Sequence, residues 1–170
     1  MNTRTRRFNL YLLALISLLA VTGCQTTKKK EATLLKFHLE VNPDGSDRSK
    51  PVPIYRASPI YVNVETKPFI QEGNVVQAAV IDDSFGGFQL KVQLDRQGSW
   101  LLEQYTTASK GKRVAIFSHF GEARWLGAPI LTKRIADGVF AFTPDATREE
   151  TERMVRGLNE LAKKSQKDNP

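Results

Sequence analysis

Residues 78–95 read AAVIDDSFGGFQLKVQLD. Two short apolar-rich runs, AAVI and FQLKVQL, flank a turn that contains Gly86-Gly87, which is the pattern of a β-hairpin. In the second arm Phe88, Leu90, Val92 and Leu94 alternate with Gln89, Lys91 and Gln93. A period of two puts the first set on one face and the second on the other, so this arm predicts a half-buried strand. Asp82, Asp83 and Ser84 lead into the glycines, and short polar side chains that bond to nearby N–H groups are turn chemistry.

Upstream, LLKFHLEVN (34–42) alternates in the same way: Leu35, Phe37, Leu39 and Val41 on one face, Lys36, His38 and Glu40 on the other. NPDGSD (42–47) is a turn cluster. VPIYR and PIYVNVE predict two short strands, and their prolines argue against central ladder positions. KPFIQEGNVVQ (67–77) reads as a loop or a single helical turn. Downstream, Leu101, Leu102 and Tyr105 have helical spacing after Ser99, a candidate cap. KRVAIFSHF, GEARWLGAPI and DGVFAFT predict three more strands.

The C-terminal stretch from Thr143 is the clearest helix. Thr143 is a candidate cap, and Pro144 suits a first turn. Asp145, Glu149 and Glu150 sit early and Lys163 and Lys164 late, as the macrodipole favours. Met154, Val155, Leu158, Leu161 and Ala162 form one apolar stripe. Hairpins with helices interposed predict an α+β fold: an antiparallel sheet with two helices packed on one face, preceded by short N-terminal strands. The domain is expected over residues 34–165, with a frayed tail at 166–170.

The first 23 residues belong to another function. Residues 1–7 carry Arg4, Arg6 and Arg7, and LYLLALISLLAV (10–21) is apolar apart from Ser17. That run is too short to span a bilayer core, which needs about 20 residues. A basic head followed by a short apolar run is the layout of a secretory signal peptide. Val21-Thr22-Gly23-Cys24 resembles the bacterial lipoprotein signal. The resemblance implies a diacylglyceryl group on the Cys24 sulfur and cleavage before Cys24, with Val21, Thr22 and Gly23 read by the processing enzymes. The alternative is an ordinary signal peptide with an incidental cysteine. Acyl chains contribute roughly 0.8 kcal/mol per buried methylene, so two or three would hold the protein stably on a membrane. Gln25 stands where an aspartate is a common inner-membrane retention signal, which leans towards the outer membrane. Residues 24–33 then form a lipidated tether.

This segment also explains the charge. The chain carries a formal +7, but Arg4, Arg6, Arg7, Lys28, Lys29 and Lys30 supply six of it. From residue 31 onward 19 basic residues face 18 acidic ones, so the domain is nearly neutral. A basic excess confined to a leader and a tether excludes a nucleic-acid-binding face.

With the strands placed, the stretch from Tyr61 onward resembles the first periplasmic domain of SecD, the accessory subunit of the Sec preprotein translocase. The resemblance rests on NVVQAAVIDDSFGG, FQLKVQLDRQGSWLLEQYTTAS, GKRVAIF, GEARWLGAPIL and DGVFAFTPDATREETERMVRGLNEL, in that order. It departs from the family at SHFGEARW, where an aspartate-glycine turn is usual. It implies the fold, and a role in handling exported polypeptide. The proton-coupled work of SecD belongs to membrane helices, which are not read in this sequence after the signal.

The residues offer little catalytic chemistry. His38 and His119 read as surface histidines, on a polar strand face and in a turn, without partners that suggest a triad or a metal. Asp82-Asp83 could bind a cation but reads more simply as turn chemistry. Ser84 and Ser118 lack a nucleophile-elbow context. A single cysteine excludes an intramolecular disulfide and a cysteine-built zinc site. No catalytic residue, metal, cofactor or small-molecule substrate is therefore expected. Trp100, Tyr105 and Phe117 sit at core-like positions and read as core packing; Phe120 and Trp125 fall at or beside a turn. These two are the candidate partner-binding residues, and a sheet edge is a second candidate for a peptide strand.

Taken together, the sequence describes a non-enzymatic lipoprotein facing the periplasm. Its partners are the membrane through Cys24 and an unfolded polypeptide or a component of the export or envelope machinery. The alternative is a structural or assembly lipoprotein with no role in translocation. A third reading, an envelope hydrolase or metal binder, would need a role for Asp82.

Overall fold

In chain order the strands are β1 (Leu34–Leu39), β2 (Ser49–Ile54), β3 (Ile60–Glu65), β4 (Ile70–Gln71), β5 (Val75–Asp82), β6 (Phe88–Leu94), β7 (Val114–Phe120), β8 (Glu122–Gly127) and β9 (Val139–Phe142). The helices are α1 (Arg96–Ala108) and α2 (Arg148–Asp168), with a 3₁₀ turn at Glu72–Asn74. The computed structural model describes residues 33–84 and 86–168. The signal segment 1–23 with Val21, Thr22 and Gly23, the lipidation residue Cys24, the tether to residue 32 and residues 169–170 lie outside the described residues.

The architecture is α+β with short N-terminal strands. Its antiparallel strands divide among three ladders, ordered β4-β1-β7-β8, β2-β3 and β5-β6-β9. The opening hairpin forms as β5 and β6, from Asp82↔Phe88 to Val75↔Leu94. Gly86 has φ 82° at its turn, a conformation that glycine adopts at no steric cost. Pro51 and Pro53 lie in β2, which among the described residues pairs with β3 alone. The two-stranded ladder spares them any second partner.

One core joins the first and third ladders to both helices. Leu35, Phe37, Val114, Ile116 and Leu126 meet Leu90, Val92, Phe140 and Phe142, with Leu102 of α1 and Met154 and Leu158 of α2. The Phe37 and Phe140 rings lie 5.2 Å apart and link the two ladders directly. A second core lies on the opposite face of the first ladder. There Val52, Ile54, Val62 and Val64 of the β2–β3 hairpin pack on Ala115 and Ala128, and Trp125 leans against them.

This second layer corrects the reading of His38. The alternation of β1 is real, yet both faces of the strand are buried. His38 is only 6% exposed, because the β2–β3 hairpin covers the face that the sequence pattern assigned to water. Its Nδ1–H donates to the Glu65 carbonyl at 2.8 Å, and its ring meets Trp125 at 5.2 Å. Desolvation holds its pKa below the ordinary 6.5, against the smaller opposing effect of the Glu65 hydrogen bond. His119 also departs from expectation, lying within β7 opposite Leu34 rather than in a turn.

Both helix starts shift from the expected caps. Asp95, not Ser99, caps α1: the Gly98 N–H donates to Asp95 Oδ1 at 2.6 Å. Ser99 lies inside the helix, its hydroxyl donating to the Leu94 carbonyl. α2 begins after Thr147 rather than at Thr143. The Glu150 N–H donates to Thr147 Oγ1 (3.2 Å), and the Thr147 N–H donates to Glu150 Oε2 (2.9 Å), a reciprocal capping box. The preceding residues are strapped to other strands instead. The Asp145 N–H donates to the Leu126 carbonyl at 2.6 Å, and the Asp145 carboxylate accepts the Arg56 N–H at 2.8 Å. Thr151, Met154, Leu158 and Ala162 make the buried face of α2, while Leu161 is 37% exposed. The helix continues through Asp168, past the residue-165 limit read from the sequence.

Candidate functional site

In an antiparallel ladder, alternate residues direct both their N–H and C=O groups to one neighbour or to the other. The Leu94 N–H donates to the Gly138 carbonyl at 2.9 Å. By that alternation Phe140 and Phe142 also turn towards β6, while Val139 and Ala141 turn outward. The pairings Leu90↔Phe142 and Val92↔Phe140 share this parity. On the far side of the same sheet, Ala78 of β5 faces outward.

The Ala78 edge is filled. The Ala78 N–H donates to Asn159 Oδ1 at 2.8 Å, and Asn159 Nδ2 donates to the Ala78 carbonyl at 2.9 Å. The amide of one α2 side chain thus stands in for a strand residue. At the β9 edge the Val139 N–H is bonded by Asp137 Oδ1 at 3.1 Å. Ala141 is exposed. Among the described residues, no strand or backbone group pairs with its outward side.

A chain segment arches over this open edge. Residues from Pro129 to Asp137 line a groove together with Val139, Phe140 and Ala141, with a volume of about 610 Å³. That size lies within the ~300–1,000 Å³ typical of ligand sites. The arch is held at several points. The Leu131 N–H donates to the Lys112 carbonyl and the Gly111 N–H to the Leu131 carbonyl, both at 2.8 Å. The Ile135 N–H donates to Thr106 Oγ1 at 3.0 Å, and Gln93 Nε2 donates to the Asp137 carbonyl at 3.3 Å. Arg134 pairs with Glu103 of α1. On the other side of Arg134 lies a second hollow of about 460 Å³, lined by Trp100, Glu103 and Thr107. Trp100 is 55% exposed there. An open strand edge inside a groove, next to an exposed tryptophan, can bond an extended main chain and bury its side chains.

Phe120 and Trp125 do not meet. They lie on opposite faces of the β7–β8 hairpin. Phe120 packs against the main core with the Arg153 guanidinium 5.8 Å from its ring centre. Trp125 closes the second core, edge-on to Phe117 at 5.3 Å and to His38. Beside Phe120 is a hollow of about 190 Å³ lined by Ser118, Arg124, Glu150, Arg153 and Met154. It is partly paired: Arg124 Nη2 donates to Glu150 Oε2 at 2.9 Å and Arg56 lies 3.8 Å from the same oxygen, while Arg124 Nη1 is buried without a hydrogen-bond partner among the described residues. Arg124, then the Thr147 N–H, holds the Glu150 carboxyl below its ordinary range. Ser118 is buried, with its hydroxyl donating to Met154 sulfur.

Asp82 and Asp83 are not a joint site. Asp82 accepts a bond from Arg148. Asp83 Oδ1 accepts the Gly87 N–H at 2.8 Å and closes the hairpin turn. Among the described residues, no group of three or more His, Cys, Asp or Glu side chains comes together as a metal site. Sequence reasoning missed Asn159, Asp137 and Ala141. Asn159 looks like any polar helix residue. For the other two the only signal is Asp137-Gly138 before a short strand whose small alanine takes an exposed alternate position.

No protein-family description and no curated protein matches the chain. Solved structures of SecDF are among those that resemble it. One is a membrane component, SecDF, that enhances protein export: TM-score 0.55 and 16% identity, over 76% of this chain and 63% of that one. Another is SecDF in its super-membrane-facing form: TM-score 0.57 and 16% identity, over 76% of this chain and 19% of the other. The chain thus spans less than two thirds of either relative. At this identity the likeness concerns the fold, and the fold is SecD-like. Among the described residues no helix is long and apolar enough to cross a membrane.

Proposed function

We propose that this chain is a lipoprotein, anchored through Cys24 on the periplasmic side of a bacterial membrane, whose SecD-like domain binds extended polypeptide and assists protein export. It acts by binding rather than catalysis and uses no cofactor. The observation that carries the reading is the open β9 edge beneath the arch. The outward N–H and C=O of Ala141 offer a strand-addition site that any sequence can use, since main-chain bonds are common to all polypeptides. The basic side chains beside the arch, Lys110, Lys112 and Lys133, are exposed and favour segments that carry acidic residues. SecDF, which shares the fold, enhances protein export.

A photoreactive residue at Ile135 tests this reading in cells. Transient crosslinks to many unfolded polypeptides are expected, and Ala141→Pro, which deletes the outward N–H, should abolish them. One stoichiometric partner instead would favour the alternative of an assembly lipoprotein. Crosslinks unaffected by Ala141→Pro would sink the edge mechanism. The anchor is tested separately: Cys24→Ser should accumulate as a precursor that incorporates no labelled fatty acid.

A further inference from the structure

The tip of the β2–β3 hairpin shows apolar side chains to solvent without a partner. From Tyr55 to Tyr61 all seven residues, YRASPIY, are exposed. Tyr61 is 75% exposed, and Tyr55 and Ile60 are each 38% exposed. Tyr55 also has φ 70°, a left-handed conformation uncommon for a bulky residue. A glycine would sit there without strain, so the tyrosine is the anomaly. Tip residues that only closed a turn would be expected to be glycine, asparagine or aspartate.

Two features bear on what could cover this tip. The first is its place beside the anchored end of the chain. The Arg56 N–H bonds Asp145, and its guanidinium lies 3.8 Å from Glu150 in the first turn of α2. Thr33, where the described chain begins, packs against Gly157 on the same helix. Glu150 and Gly157 are seven residues apart, hence on one helix face and about 10 Å apart along the axis. A lipid on Cys24 is nine residues from Thr33, a span of at most about 30 Å. The tip therefore projects from the helix face near the point where the tether enters. The second feature is chemistry. Tyrosines and an isoleucine around an Ala-Ser-Pro turn match the amphipathic residues that settle at a membrane–water interface.

We infer that Tyr55, Ile60 and Tyr61 insert into the bilayer interface and orient the domain on the membrane; this rests on the lipid anchor proposed above. Arg56 is already engaged by Asp145 and Glu150, so the contact depends on aromatic and aliphatic burial, and added salt should leave it in place. The lipid holds the protein on the membrane, and insertion of the tip fixes how the tethered domain is oriented there.

The test uses the full lipidated chain with Tyr61→Trp, reconstituted in phosphatidylethanolamine–phosphatidylglycerol vesicles, with the emission of the parent chain subtracted. The added emission should shift to the blue, lose intensity with brominated lipids and resist quenching by iodide, at both low and high salt. Tyr55→Ser with Ile60→Ser should reverse all three, while circular dichroism shows the fold retained. A residue at 61 that stays open to iodide while the lipid holds the protein on the vesicle overturns the proposal. If mass spectrometry finds no lipid on Cys24, the anchor reading fails by itself. The same variant is then titrated with vesicles, and absence of lipid quenching at every concentration overturns the tip contact independently.

Discussion

The two outer edges of the β5-β6-β9 ladder are finished differently. At β5, α2 lies against the edge, and Asn159 bonds both backbone groups of Ala78. At β9, a side chain takes only the Val139 N–H, and an arch stands over a groove. Unpaired edges invite association with other chains, and folded proteins normally blunt them. One edge here is blunted by a built-in strand mimic. The other is left open beside a groove lined by residues 129–137. The difference leaves β9 as the edge on which the proposed peptide binding rests, while β5 is closed by the fold itself.

Four changes can break or sharpen that contrast. Phe140→Ala should have the largest effect, since its ring is 4% exposed and belongs to the main core. Loss of a buried Phe side chain costs about 3–5 kcal/mol, which urea denaturation would register as a large fall in midpoint. Asn159→Ala comes next. It leaves the Ala78 N–H and C=O without partners, at about 1–3 kcal/mol, and hydrogen exchange at Ala78 should accelerate. Asn159→Asp keeps the acceptor for the Ala78 N–H but sets a carboxylate oxygen against the Ala78 carbonyl, so it should be no milder. If neither variant alters exchange at Ala78, the amide is not acting as a strand.

The third change concerns pH. In the fold the Glu150 carboxyl titrates below its ordinary 4.5, chiefly through Arg124. Its contribution is therefore complete above about pH 4.5 and is lost as pH falls through the lower folded value. His38 titrates below 6.5 in the fold. Below pH 6.5 the unfolded chain takes up that proton first, so stability also declines there as pH falls. Acid denaturation should show one decline beginning near pH 6.5 and a further one below about 4.5. Glu150→Gln should reduce the second, leaving the part due to Asp44, whose carboxyl Ser46 holds at about 2, and should cost up to about 1 kcal/mol through the lost charge pair with Arg124. An unchanged acid limb would show that the Arg124–Glu150 pair contributes little.

The smallest expected effect on stability is that of Ala141→Pro. Its N–H points away from β6, and edge strands accept proline on the solvent side. A shift within about 0.5 kcal/mol is expected, together with loss of peptide crosslinking. A large destabilisation would mean that β9 is not an open edge.

Much of the fold was legible in local pattern. The alternation in FQLKVQL, the glycine turn and the stripe on α2 record their burial directly, because period two and period 3.6 map onto faces. Caps were less legible. Thr143-Pro144 is a sound helix start in isolation, but Asp145 is drawn away by Arg56 and Leu126, and the helix waits for the Thr147–Glu150 box. The candidate site was hardly legible. Phe120 and Trp125 share a turn in sequence, yet the pleat sends them to opposite faces.

The sequence by itself determined the α+β elements, the near-neutral domain, the hairpins and the expectation of a lipidated N-terminus, since each depends on residues close together in the chain. Only the tertiary structure decided which faces and edges stay open. His38 is buried because a hairpin some 20 residues away folds over it. Ala78 is sealed by Asn159, 81 residues further on. Ala141 remains open because no strand among the described residues reaches it. Whether a strand edge is covered depends on the path of distant segments, and local periodicity carries no record of that path.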